Sequence, residues 1–160
     1  MTKGNRQIYL LDSCVWIEGF NPPPDPESRS SCHEVVDAVI NRRISVLLPT
    51  LVLLECQKTT QKVVSLLNAR KTTIQPIDFN VGLAVDVADF MEIHGFKKND
   101  RMDCCHALVA GRTGAVLVTD DAKIVAKLSS LDDARIPKIV SSVELVASFP
   151  KAPPQLIPYP

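Results

Sequence analysis

Five short strand-like runs, each separated from the next by a segment that reads as helix or loop plus helix, restrict this chain to few architectures. The runs fall near 8–11 (Ile-Tyr-Leu-Leu), 44–48, 74–77, 115–118 (Ala-Val-Leu-Val) and 136–140. The first and fourth are apolar without alternation, so both faces of those strands must be covered, which is the pattern of a parallel sheet. Strands alternating with helices therefore predict an α/β fold. The expected form is a three-layer α/β/α sandwich around a mostly parallel five-stranded sheet. The 74–77 run contains Pro76, which cannot donate to a ladder, so this strand belongs near an edge.

The segments between the runs carry helix signals. Ser31 and Glu34 have capping-box spacing ahead of an apolar stretch at 35–40, and Thr50 can cap a helix over 51–56. Helices are expected over 61–70 and over 81–94, the latter stopped by Gly95. Asn99 or Asp100 can cap the helix that holds Asp103, with Gly111 and Gly114 at its exit. Further helices follow at 122–128 and, capped by Ser142, through Ala147. Prolines make 21–28 a surface loop. With 160 residues, 46% of them hydrophobic, one domain spanning 1–149 can bury a core unaided, leaving a proline-rich tail at 150–160.

The chemistry lies in where the acids fall. Asp12 ends the first run, Glu55 ends the apolar stretch after the second, Asp103 opens a helix, and Asp120 and Asp121 follow the fourth run. In open α/β sheets, sites form at the carboxyl ends of the strands. Several ionised carboxylates in one place raise each other's pKa unless a cation sits between them. A hard divalent ion such as Mg²⁺ or Mn²⁺ resolves that conflict and suits metal-assisted phosphate chemistry, because it activates water and stabilises a departing oxyanion.

These residues resemble those of the PIN-domain nucleases, particularly the VapC-type toxin ribonucleases. The resemblance rests on Leu11-Asp12-Ser13, on Pro49-Thr50 with Glu55, on the run from Asp103 to Ala110, and on Leu117-Val118-Thr119-Asp120-Asp121. It spans residues 8 to about 125 in order. It implies the α/β/α fold and Mg²⁺- or Mn²⁺-dependent hydrolysis of phosphodiester bonds in RNA. It also implies frequent homodimers and an antitoxin partner. Asp12, Glu55, Asp103 and Asp121 match the family's four acids, with Thr119 as the accompanying hydroxyl and Ser13 in support. The sequence departs from the pattern in three places. Asp120 adds a second acid beside Asp121 and leaves open which faces the metal; Ile124 stands where phenylalanine is common; Cys104-Cys105-His106 replaces small aliphatic residues.

Those three consecutive residues point about 100° apart on a helix and cannot converge on one ion, so they are expected to be core and supporting residues. Lys97, Lys98 and Arg101, just ahead of Asp103, are placed for phosphate contacts. The 18 basic and 18 acidic residues balance, so no global basic field announces nucleic acid. Five cysteines without framework spacing, no secretory leader and no apolar run of bilayer length fit a soluble cytoplasmic protein with no membrane association. A haloacid-dehalogenase-like hydrolase would need an aspartate where Cys14 stands, and the acid pattern of a receiver domain is missing. The alternative from another class is a non-catalytic PIN-like scaffold that binds RNA or protein. The intact acid set argues against it.

Overall fold

The computed structural model describes residues 7–150, so the tail expected at 150–160 lies, but for Pro150, outside the described residues. The elements run β1 (Ile8–Leu11), α1 (Ser13–Phe20), α2 (Ser31–Ile40), β2 (Ser45–Pro49), α3 (Val52–Glu55), α4 (Thr60–Ala69), β3 (Ile74–Ile77), α5 (Val81–His94), α6 (Arg101–Thr113), β4 (Val116–Val118), α7 (Ala122–Ser129), β5 (Ile139–Val140) and α8 (Ser142–Ala147). The sheet has the order β3-β2-β1-β4-β5 and every pairing is parallel. Pro76 sits on the edge strand β3, as its missing N–H requires.

Both faces of the sheet are covered. Leu11, Val46, Leu48, Ile74 and Val118 point into one core with residues of α1, α2, α4 and α8; Leu10, Leu47 and Leu117 point into the other with residues of α5, α6 and α7. The handedness of crossovers explains this division. From β1 to β3 the chain steps outward along the sheet with its helices on one face. From β3 it must jump back past β1 to reach β4, and right-handed connections then place the helices on the opposite face. The fold is the three-layer α/β/α sandwich that the alternation predicts. Among the described residues no helix is long and apolar enough to cross a membrane.

Several caps differ from expectation because the side chains involved are engaged elsewhere. Helix α2 opens on Ser30, whose N–H donates to His33 Nδ1 at 3.1 Å, one residue before the expected Ser31–Glu34 box. Thr50 caps nothing: its N–H continues the ladder to Ile77 O at 2.9 Å and its hydroxyl accepts from Phe79 N, so α3 shrinks to a single turn. The cap of α8 is Ser141, paired with Glu144, because Ser142 is bound to Asp120. Gly111 lies inside α6, where an added Cβ would fall 2.0 Å from Arg135 O; the helix exit is Gly114, at φ +67°. Finally, β5 is only two residues long, since Ile136 is drawn into a turn closed on Asp133.

Candidate metal centre

Strand order reverses between β1 and β4, and the crevice at the carboxyl ends of two such strands is where an open parallel sheet forms its sites. Asp12 N–H donates to Val118 O at 3.0 Å, so the β1–β4 ladder runs to the last residue before the crevice. The Asp12 side chain then serves as N-cap of α1, its Oδ1 accepting from Ser13 N at 2.6 Å. Thr119, the residue after β4, donates its hydroxyl to Asp12 Oδ2 at 2.7 Å and accepts from Asp121 N at 3.2 Å. Cys14 Sγ adds a weaker bond to Oδ2. Glu55 arrives from the one-turn helix α3 beyond β2, and Asp103 lies in the first turn of α6.

The residue that binds this cluster together is His106. It lies three positions after Asp103, hence on the same face of α6, and is only 1% exposed. Its Nδ1 meets Asp12 Oδ1 at 3.1 Å, and its Nε2 faces Glu55 Oε2 at 3.5 Å. That second pair is not hydrogen-bonded. Among the described residues, three buried side-chain polar atoms lack a partner, and two of them are these facing atoms, Glu55 Oε2 and His106 Nε2. One ligating atom each from Asp12, Glu55 and His106 lies within 4.8 Å of the others. The i, i+3 spacing from Asp103 could have singled out His106 in the sequence; its neighbours Cys104 and Cys105, both buried in the core, disguised it.

The remaining predicted residues divide. Asp121 caps α7, its Oδ1 accepting from Lys123 N and Ile124 N, and it is near enough to Asp103 for its charge to be felt there. Asp120 turns the other way: Ser142 N and Oγ donate to its two oxygens at 2.8 and 2.6 Å, and Cys32 Sγ donates at 3.2 Å. Ser13 bonds Asp12 through its hydroxyl and lowers the pKa of Glu55. Lys97 and Lys98 are exposed around the turn before α6, and Arg101 is exposed at its start. Asp100 holds that turn, accepting from Lys97 N and from Lys127 Nζ.

The electrostatics are those of crowded anions. Burial pushes the Asp12 carboxyl up, but the hydrogen bond and charge of His106, with the Thr119 and Cys14 bonds, outweigh it and hold Asp12 well below the ordinary carboxylate range. Asp103 has no such partners. Burial, reinforced by the charges of Asp12, Asp121 and Glu55 and only partly offset by His106, raises it to about 6. Glu55 is raised as well, first by burial and then by Asp12. Burial pulls the His106 ring down, yet the bond to Asp12 and the surrounding carboxylates leave it raised. Carboxylates held close at a cost, with two buried ligand atoms that face each other and have no hydrogen-bond partner, fit a divalent cation.

The PIN domain family model matches residues 9–129, a span that contains Asp12, Glu55, Asp103, His106 and Asp121. Among solved structures, a chain of VapBC2 from Rickettsia felis, bound to a DNA fragment from the promoter, is similar with a TM-score of 0.54 and 17% identity. That match covers 84% of this chain and 98% of the other. A chain of FitAB bound to an IR36 DNA fragment matches with a TM-score of 0.54 and 18% identity, over 85% and 95% of the two chains. No curated protein matches. At these identities the structural likeness concerns the fold, and it agrees with the match of the family model over most of the sequence. The chain belongs to the PIN domain family.

Proposed function

We propose that this protein is a metal-dependent endoribonuclease that hydrolyses phosphodiester bonds in RNA, acting as the toxin of a toxin–antitoxin pair. The observation that carries this reading is the meeting of Asp12, Glu55 and His106 at the sheet's switch point, with two buried ligand atoms that have no partner, and Asp103 lining the same crevice beside Asp12 and His106. Asp12, Glu55, Asp103 and Asp121 would hold Mg²⁺ or Mn²⁺. When bound, such an ion lowers the pKa of water and stabilises the departing oxyanion.

The chain's own residues set the geometry. Thr119 and Ser13 lock both oxygens of Asp12, so this carboxylate keeps one orientation without induced movement. Asp121 is held by the amides that open α7, and Asp103 stands in the first turn of α6. Lys98 and Arg101, exposed beside that turn, are positioned to steer the phosphate backbone across the crevice, where the amino end of α6 also favours an anion. Water is the nucleophile, so the chemistry requires no 2′-hydroxyl, and the choice of RNA follows the family resemblance.

The partner reading draws on the VapBC2 and FitAB complexes and on exposed apolar side chains: Leu54 beyond β2, Phe79 ahead of α5, and Val81 and Val85 one turn apart on α5. We assign these to an interface with an antitoxin or a second copy of the chain. The test of function is cleavage of single-stranded RNA and DNA with Mg²⁺ or Mn²⁺, with EDTA, and with Asp12→Asn or Asp103→Asn. Cutting that needs the ion and both acids supports the proposal; cutting unchanged in EDTA or in either variant overturns it.

A further inference from the structure

We propose that His106 is itself a ligand of the metal through Nε2, so that the centre takes a nitrogen-accepting transition ion such as Mn²⁺ in preference to Mg²⁺. This rests on the metal-dependent reading above and adds to it a fifth residue and a choice of ion.

Asp12 already accepts from Ser13 and Thr119 and acts as an acceptor toward the ring as well, so the His106 nitrogen facing it carries the proton. That leaves Nε2 as the ring atom available to ligate, and it faces Glu55 Oε2. Two buried ligand atoms facing each other 3.5 Å apart, neither of them hydrogen-bonded within the described residues, are where a cation would be held. The arrangement carboxylate–imidazole–metal, with the far ring N–H held by Asp12, is the one that protein metal sites use to orient a histidine. The spacing is also that of known sites: Asp103-x-x-His106 has the carboxylate-x-x-histidine separation found on helices of di-iron and di-manganese carboxylate proteins.

The ligand set carries the selectivity. Mg²⁺ demands oxygen ligands in near-ideal octahedral geometry and retains its waters, whereas first-row transition ions bind sites of mixed oxygen and nitrogen donors, Mn²⁺ the most weakly of them and so as the most stringent probe. The thiol nearest Asp12 is already engaged: Cys14 Sγ–H is donated to Asp12 Oδ2.

The experiment uses the full chain, stripped of metal and reloaded with Mn²⁺, examined by electron spin-echo envelope modulation. A ¹⁴N modulation that changes to a ¹⁵N pattern when the protein carries ¹⁵N-histidine, and that survives His94→Gln, is expected. His106→Gln should remove it and narrow the preference for Mn²⁺ over Mg²⁺ by at least about tenfold in competition titrations. Because His106 is buried and its variant could misfold, the wild-type spectrum decides by itself. If Mn²⁺ binds and is released by Asp103→Asn, but no nitrogen couples to it, the assignment of His106 is wrong while the acid centre stands. If wild-type protein binds no Mn²⁺ at all, both fall.

Discussion

Asp103→Asn should make the metal-free protein more stable while destroying the proposed centre. Burial and the charges of Asp12, Asp121 and Glu55 raise the Asp103 carboxyl from 3.8 to about 6. The folded state thus binds the proton more tightly than the unfolded chain does. Stability contributed by Asp103 is therefore fully present below about pH 4 and is lost as pH rises toward about 6, with no further change above. A shift of roughly two units corresponds to about 3 kcal/mol at most. Asp103 is half-buried, and solvent screening reduces this to about 1 kcal/mol. For a chain of this size that is a rise in Tm of about 2–4 °C. Thermal melts followed by circular dichroism, in EDTA, should show the gain at pH 7.5 and none at pH 4. Saturating Mn²⁺ should invert the order, since an ion at a hundred times its Kd stabilises the wild type by about 2.7 kcal/mol and the variant by far less. An Asn variant no more stable than wild type at pH 7.5 in EDTA would refute the claim that these acids repel one another in the folded protein.

Other substitutions separate support from ligation. Thr119→Val removes the buried hydroxyl that bonds Asp12 at 2.7 Å and should cost about 1–3 kcal/mol in urea denaturation. Asp120→Ala should cost a similar amount by orphaning Ser142, yet leave Mn²⁺ affinity within about twofold, whereas Asp121→Asn should weaken Mn²⁺ binding; equal effects on binding would contradict the opposite orientations of the two carboxylates. Gly111→Ala would drive a methyl to 2.0 Å from Arg135 O and should lower stability by about 1–3 kcal/mol, read as a fall in Tm.

The sequence carried the sheet because consecutive apolar residues admit few other placements: 8–11 and 74–77 became strands with the expected bounds, and 81–94 became α5, ending on Gly95 at φ +69°. Caps were harder to read: Thr50 and Ser142 are competent caps by type but are engaged by groups remote in sequence, and Asp100 holds the N-cap position of α6 with its side chain bound instead to Lys97 N and Lys127 Nζ. Asp12 and Glu55 stand out in the sequence because each ends an apolar run, and Asp103 because it opens a helix. The choice between Asp120 and Asp121 was left open, although alternation in extended backbone separates them: Thr119 and Asp121 turn toward Asp12 and α7, Asp120 toward Cys32 and α8. His106 reads from the sequence only as a core or supporting residue beside Cys104 and Cys105, because consecutive helical positions diverge; its i, i+3 relation to Asp103 is what puts it on the side of the acids.

The four acids are not equivalent, and their differences suggest how a fold can assemble like charges before an ion arrives. Asp12 and Asp121 are N-caps, each accepting backbone N–H groups where a helix presents its positive end. Their negative charge is thus partly answered by the backbone itself. Asp103 and Glu55 receive no such amide among the described residues, and these are the two whose pKa values are raised. Two of the three buried side-chain atoms without a partner among the described residues, Glu55 Oε2 and His106 Nε2, accordingly lie on α3 and α6. It follows that replacing Asp12 does more than delete a candidate ligand: it releases the cap of α1, the Thr119 hydroxyl and the ring of His106 at once. Replacing Glu55 touches only the side that awaits the ion. Glu55→Gln is therefore the cleaner probe of metal binding, and Asp12→Asn the harsher one of the architecture that holds it.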